Sequence, residues 1–211
     1  MSNIILTDLI LQLRTNQDKI RQARKLELKS LAEAMHQLYE LTGQISINII
    51  CTHNSRRSQL GQVWFELMAY DLGISEFHAF SGGTEGTAFN HRMVKALQDL
   101  GVHLSVKETG DNPVYELAFD KDHSSERRYF SKAYDHEANP SSDFIAMLVC
   151  DSADEKCPII HGATERLFIP YTDPKAADDT EQEANVYQEK VKEMGRELIF
   201  CMGELRCLLK L

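Results

Sequence analysis

Nothing in this sequence looks like a membrane anchor or an export signal. The stretch MSNIILTDLILQLRTNQDK has no basic n-region, and Asp8, Gln12 and Arg14 interrupt its apolar residues. Neither a signal peptide nor a membrane span is expected, and the chain is read as cytoplasmic. Basic charge is scarce as well: 23 Lys and Arg against 32 Asp and Glu leave a formal net charge of -9. That excludes a broad surface for nucleic acid while leaving room for a local anion pocket. Cysteine is too sparse, and odd in number, for a secreted disulfide scaffold; the five are Cys51, Cys150, Cys157, Cys201 and Cys207. Any disulfide is then expected to be transient and chemical. The histidines do not sit at ligand spacing beside these cysteines, so no zinc pattern is present, and no cofactor is called for. Internal repeats and low-complexity tracts are absent.

What is there is one substantial core's worth of apolar residues, 43% of 211, arranged in two regimes. Over residues 1–43, Ile20, Ala23, Leu28, Leu31, Met35 and Leu38 recur at helical spacing after Thr15 and Asn16, with Gly43 as the stop. This predicts a helical hairpin or one long helix, an extension that packs on the main domain or on a second copy as a homodimer. From residue 44 to 211 strand and helix patterns alternate. ISINIIC at 45–51 reads as a strand, 57–72 as a helix, FHAFSGG at 77–83 as strand and turn, and 88–100 as a helix. FIAMLVC at 144–150 and ERLFIP at 165–170 read as strands, and 181–209 as a long amphipathic helix. The fold class expected is α/β, a four-stranded parallel doubly wound sheet flanked by helices, with an amino-terminal helical extension. Residues 105–143 break the pattern and read as a charged insertion with, at best, short helical fragments near 114–119 and 125–135.

The chemistry is expected at CTHNSRRS, residues 51–58. Cys51 closes a strand and a helix follows, so the turn lies at the carboxyl end of a strand, where open α/β sheets place their ligands. Backbone N–H groups of Thr52, His53, Asn54, Ser55 and Arg56, with the positive end of the helix, suit a bound dianion and a thiolate alike. Arg57 can fold back and present its planar fork to two oxygens of a tetrahedral oxyanion. Ser58 can hydrogen-bond the Cys51 sulfur and Asn54 can take a left-handed turn conformation. Such surroundings favour the thiolate, the form that attacks. A buried structural cysteine beside a surface Arg-Arg pair is the plainer alternative.

CTHNSRRS, SGGTE at 81–85 and the late pair Asp173-Pro174 together resemble the low-molecular-weight protein tyrosine phosphatase family over roughly residues 45 to 205. The resemblance implies that Cys51 is the nucleophile, Arg57 the oxyanion clamp and Asp173 the general acid; without it, Asp173 reads as a turn former before proline. The loop departs from the family in carrying His53 where glycine is common and Arg56 where a small residue is common. His53 is thus expected to strain the turn, as a tolerated substitution or as part of the pocket rim.

Cys150 ends its strand on the same sheet edge as Cys51, and CDSADEKCP places Cys157 seven positions later. This segment resembles the redox pair of the thioredoxin-coupled arsenate reductases, a branch of the same fold. It implies a relay in which Cys51 attacks arsenate, Cys150 attacks the adduct and Cys157 attacks Cys150, with thioredoxin reducing the final disulfide. Seven helical residues would hold those two Cα atoms about 10 Å apart, beyond the roughly 7 Å a disulfide tolerates, so residues 151–157 must unwind on oxidation. Composition alone would make the pair packing cysteines, as Cys201 and Cys207 on the last helix are read.

Two enzymes therefore compete: an arsenate reductase, and a phosphatase in which water assisted by Asp173 attacks and the extra thiols guard Cys51. After Asp173-Pro174 comes KAADD, without the aromatic that lines a phosphotyrosine slot, and the run Asp178, Asp179, Glu181 is expected to repel phosphoproteins. A sensor of oxyanions with a docking arm is a third reading, which the intact Cys51, Arg57 and Asp173 oppose.

Overall fold

The computed structural model describes residues 2–120, 122–156 and 159–211. Two helices come first, α1 (Ser2–Thr15) and α2 (Gln22–Thr42), joined by a short 3-10 turn at Gln17–Lys19. The region is thus a helical hairpin, and Gly43 ends it at φ 75°, the left-handed stop that a residue without a Cβ adopts at least cost. Thr15 and Asn16 do not start α2, whose N-cap is Arg21; Asn16 instead closes α1, its amide donating to the Gln12 carbonyl at 2.7 Å.

Strand β1 (Ile45–Cys51) is buried along its whole length, as expected of a central strand covered on both faces. Helix α3 (Arg57–Leu72) leads to β2 (Phe77–Gly83), which pairs parallel with β1 from Ile45 opposite Phe77 to Cys51 opposite Gly83. Helix α4 (His91–Asp99) follows, capped by Asn90, whose side chain accepts from the N–H groups of Arg92 and Met93. The chain later returns as β6 (Phe144–Leu148), parallel to β1 on its other side, and β7 (Ala163–Phe168) completes the order β2-β1-β6-β7. Short α5 (Asp151–Lys156) joins β6 to β7, and α6 (Glu183–Leu209) ends the chain.

The expected four-stranded parallel sheet is present, but 105–143 is not a loop with helical fragments. It belongs to a three-stranded antiparallel sheet of β3 (His103–Glu108), β4 (Val114–Ala118) and β5 (Ser124–Tyr129). Tyr115 and Leu117 in β4, and Ser125, Arg127 and Tyr129 in β5, turn inward at every second position. The inward side of β5 is largely polar, because Arg127 and Ser125 reach the buried Glu66 of α3. A strand whose covered face carries charge has no apolar alternation to betray it.

Helices α1 and α2 share one core with the sheet: Leu13, Leu28, Leu31, Met35 and Leu38 are at most 3% exposed and cluster with residues of β1, α3 and α6. The apolar face of α2 offered to a second copy is therefore covered by the chain itself. No described helix is long and apolar enough to cross a membrane.

Candidate active site

The sheet changes direction between β1 and β6, since the chain runs outward from β1 to β2 on one side and later fills the place on the other. Open α/β sheets bind ligands outside the carboxyl ends of strands at such a switch point. Cys51 ends β1 and Cys150 follows β6, both 4% exposed. The Val149 N–H donates to the Ile50 carbonyl at 2.9 Å, and the Cys150 sulfur lies 3.5 Å from the Thr52 hydroxyl. Two free thiols thus meet one loop from neighbouring strands.

The loop's hydrogen bonds explain its shape. Its carbonyls are turned outward and each is taken: Cys51 by Thr84 N–H, Thr52 by Glu85 N–H, His53 by the hydroxyls of Thr87 and Ser131, Asn54 by Gln59, Ser55 by Asn90 N–H and Arg56 by Leu60 N–H. Among the described residues, the N–H groups of His53, Asn54, Ser55 and Arg56 donate to no protein acceptor. They surround the amino end of α3, so the loop is a concave set of donors with helix dipole behind it, fit for a tetrahedral dianion. Gly83 sits so close that a Cβ there would come within 2.7 Å of Asn54 N and Thr52 O. The second glycine of SGGTE is thus a packing requirement of the loop, whereas a Cβ at the first, Gly82, would meet Tyr134.

Asn54 adopts the left-handed conformation at φ 46° and is wholly buried. Its Oδ1 accepts from the Lys132 backbone N–H at 2.9 Å and from Gln59 at 3.1 Å, so its Nδ2 is the donor to Ser58 Oγ at 2.9 Å. The Ser58 hydroxyl then has its own proton free for the Cys51 sulfur, 3.0 Å away. The hydroxyl is thus placed to donate to the sulfur. His53 does not take a positive φ, so the strain expected of it is not there; its exposed ring pairs with Glu85 at 3.0 Å.

Arg57 departs from expectation. Its terminal nitrogens do not face the loop's centre: one donates to the Tyr171 carbonyl at 2.9 Å, the other to Asp173 at 2.7 Å. Its Nε is buried without a partner, a donor of a kind that folded proteins seldom leave unpaired. Asp173 serves two masters, accepting from Arg57 and capping the 3-10 turn Pro174–Ala177 through Lys175 N–H at 3.0 Å. The turn-forming contact expected of an aspartate before proline is thus present.

Arg56 closes a triad that sequence reasoning missed. Its guanidinium donates to Tyr187 of α6 at 2.7 Å and to Asp178 at 2.8 Å, while the Tyr187 hydroxyl donates to Asp178 at 2.6 Å. Asp179 pairs with Arg92 at 2.6 Å. Two members of the acidic run, Asp178 and Asp179, are thus paired with arginines. Burial works against the ionised form of Asp178, but the Tyr187 hydroxyl, Arg56 and Arg92 outweigh it and hold the carboxyl below its ordinary value; burial and Asp178 push the Tyr187 phenol up to about 12. Because the folded value of Asp178 is depressed, its contribution to stability is complete above about pH 4 and is lost as pH falls through the folded value. Asp178→Asn is therefore expected to be less stable than the wild type at pH 7, with the gap closing at lower pH, as urea unfolding over a pH series would show. A gap independent of pH would mean the carboxylate charge contributes nothing.

The amino-terminal extension reaches the same place. Arg24 of α2, buried, donates to Glu197 at 2.9 Å and to the Pro170 carbonyl at 2.8 Å, and its guanidinium lies over the Tyr171 ring at 4.6 Å. Tyr171 in turn holds Arg57. No sequence signal links Arg24 to these residues, which lie 33 to 173 positions further along the chain; only packing does. Cys157 lies outside the described residues. Helix α5, which leads to it, begins with Ala153 and Asp154 N–H groups on the Cys150 carbonyl. Cys201 is buried with its sulfur on the Leu28 carbonyl at 3.3 Å, whereas Cys207 is exposed and does not pack as expected.

No family model matches the chain. An arsenate reductase of Bacillus subtilis is 28% identical over 153 residues, 72% of this chain and 91% of that protein, and one of Oceanobacillus iheyensis is 29% identical over 150 residues, 71% of this chain and 88% of its own. A crystal structure of a low-molecular-weight phosphotyrosine phosphatase from Vibrio cholerae O395 superposes with a TM-score of 0.49 at 16% identity, covering 74% of this chain and 93% of that one. Over 72% of its length the chain is thus similar to a bacterial arsenate reductase, and its parallel sheet, in the order β2-β1-β6-β7, carries the Cys51 loop at the carboxyl end of β1.

Proposed function

We propose that this enzyme is an arsenate reductase in which Cys51 is the nucleophile, the loop 52–58 the oxyanion cradle, and Cys150 and Cys157 the thiols of a relay that ends on a dithiol protein of the thioredoxin type. The observation that carries it is the second thiol: Cys150 touches Thr52 of the cradle, a position that hydrolysis by water does not require. Cys51 thiolate displaces a hydroxyl of arsenate, which takes up one proton from solvent and leaves as water, and a sulfur–arsenic bond forms. Cys150 thiolate attacks the Cys51 sulfur; the sulfur–sulfur bond forms as the sulfur–arsenic pair of electrons leaves with arsenic, now arsenite. Cys157 attacks Cys150, freeing Cys51, and thioredoxin reduces the remaining disulfide. The unpaired loop N–H groups and Arg57 Nε would hold the oxygens through the first two steps. The roles of Cys150 and Cys157 rest on the CDSADEKCP segment and on this contact.

The alternative is a phosphatase acting through a Cys51 phosphocysteine, with Asp173, whose carboxylate is bonded to Arg57, as its general acid. Steady-state NADPH oxidation with arsenate, thioredoxin and thioredoxin reductase separates the two. Turnover is expected in the wild type and its loss in Cys150→Ala, with p-nitrophenyl phosphate hydrolysis retained. Brisk ester hydrolysis without arsenate turnover would make the enzyme a phosphatase with guarding thiols.

A further inference from the structure

A cavity of about 780 Å³ opens between α3, β2 and β5, and no residue of the loop 51–58 lines it. Its size is in the range of small-molecule sites. Aromatic side chains from four segments, Tyr70, Phe80, Phe119 and Phe130, line it, and Lys132 is among its lining residues. Tyr70 and Phe119 stack at 4.5 Å.

Lys132 is 5% exposed. Among the described residues its ammonium has no carboxylate within ion-pair distance; it lies over the Phe130 ring at 4.7 Å and reaches the Phe130 carbonyl only at 3.5 Å. An ammonium has three donors, and one long bond leaves most of that capacity unused in a place shielded from water, an arrangement that costs free energy. Burial first, and the nearby Arg127 second, push Lys132 down to about 8. Of the other charged residues lining the cavity, Arg127, Glu66 and Arg128 are committed. Arg127 pairs with Glu66 and lies over Phe80 at 4.0 Å; Glu66 also takes Ser125 and the Ala79 N–H; Arg128 pairs with Glu108. Glu126 is exposed. The deficit is one negative charge at Lys132, next to flat apolar walls.

We infer that this cavity is a second, non-catalytic binding site for a small aromatic anion, its carboxylate or sulfonate on Lys132 and its ring against Phe119 and Phe130. The chemistry is that of a charge-assisted hydrogen bond in a desolvated place joined to aromatic stacking. The site also borders the catalytic loop: the Lys132 backbone N–H donates to Asn54 Oδ1, and Gln59 of α3 donates to the Phe130 carbonyl at 2.8 Å. An occupant held by Lys132 therefore sits on the segment after β5 that braces the loop.

The test uses 1-anilinonaphthalene-8-sulfonate as the anion and N-phenyl-1-naphthylamine as its uncharged counterpart, titrated by fluorescence into the full chain. The expected result is saturable one-to-one binding of the sulfonate that weakens tenfold or more in Lys132→Met, with the uncharged probe unaffected. Equal sulfonate affinity in wild type and Lys132→Met, both giving the same near-ultraviolet circular dichroism, overturns the assignment. Should Lys132→Met fail to fold, Phe119→Ala takes its place: weaker binding of both probes is expected, and unchanged binding of the sulfonate overturns the site.

Discussion

Arg57→Lys is expected to lower kcat/KM for arsenate by roughly a hundredfold to a thousandfold, the scale on which loss of a preorganised transition-state donor is felt. Cys51→Ser, which removes the nucleophile, is the reference for complete loss in the same steady-state assay. The argument rests on how many atoms Arg57 uses. One terminal nitrogen holds the Tyr171 carbonyl, the other Asp173, and the buried Nε has no protein partner. A lysine has a single nitrogen and cannot anchor to the 171–173 segment and still address an oxyanion. Activity within threefold of the wild type would show that the loop's N–H groups alone hold the anion and that Arg57 is a structural tie.

Arg24→Met is expected to destabilise the protein by about 3–5 kcal/mol, because it leaves Glu197 buried without its counter-charge, and to lower kcat/KM about tenfold through a looser Tyr171 segment. The double variant Arg24→Met with Glu197→Leu separates the two effects. Removing both charges from a buried pair is often close to neutral, so urea unfolding should recover most of the loss. The activity deficit should persist, since Pro170 and Tyr171 still lack their brace. Recovery of both together would reduce Arg24 to a stability role and leave the amino-terminal helices without influence on the site.

Legibility tracked locality. The residues of β1, α3 and β2 are bounded by the structure where their apolar pattern predicts, because burial on both faces or on one stripe writes itself into neighbouring positions. The cradle was readable for the same reason: strand, turn and helix are consecutive, and Asn54, Ser58 and Cys51 meet within eight residues. The three strands β3 to β5 were not, since Arg127 and Ser125 occupy inward places as partners of Glu66, and a polar face hides a strand. His53 misled in the other direction; the left-handed residue is its neighbour Asn54, a residue type whose short amide can satisfy itself in that conformation.

By itself the sequence determined the α/β class and the strand-turn-helix loop that begins at Cys51, the proposed oxyanion cradle, because these depend on patterns of hydrophobicity and on groups adjacent in the chain. Tertiary structure alone decided the partners of each charge: that Arg56 is tied to Asp178 and Tyr187, that Arg57 faces Asp173, that Arg24 of the extension supports Tyr171, and that Lys132 is left facing a cavity. An ion pair requires only that two groups come within about 4 Å, and a folded chain satisfies that condition between residues of any separation, so charge in a sequence states a need without naming what meets it.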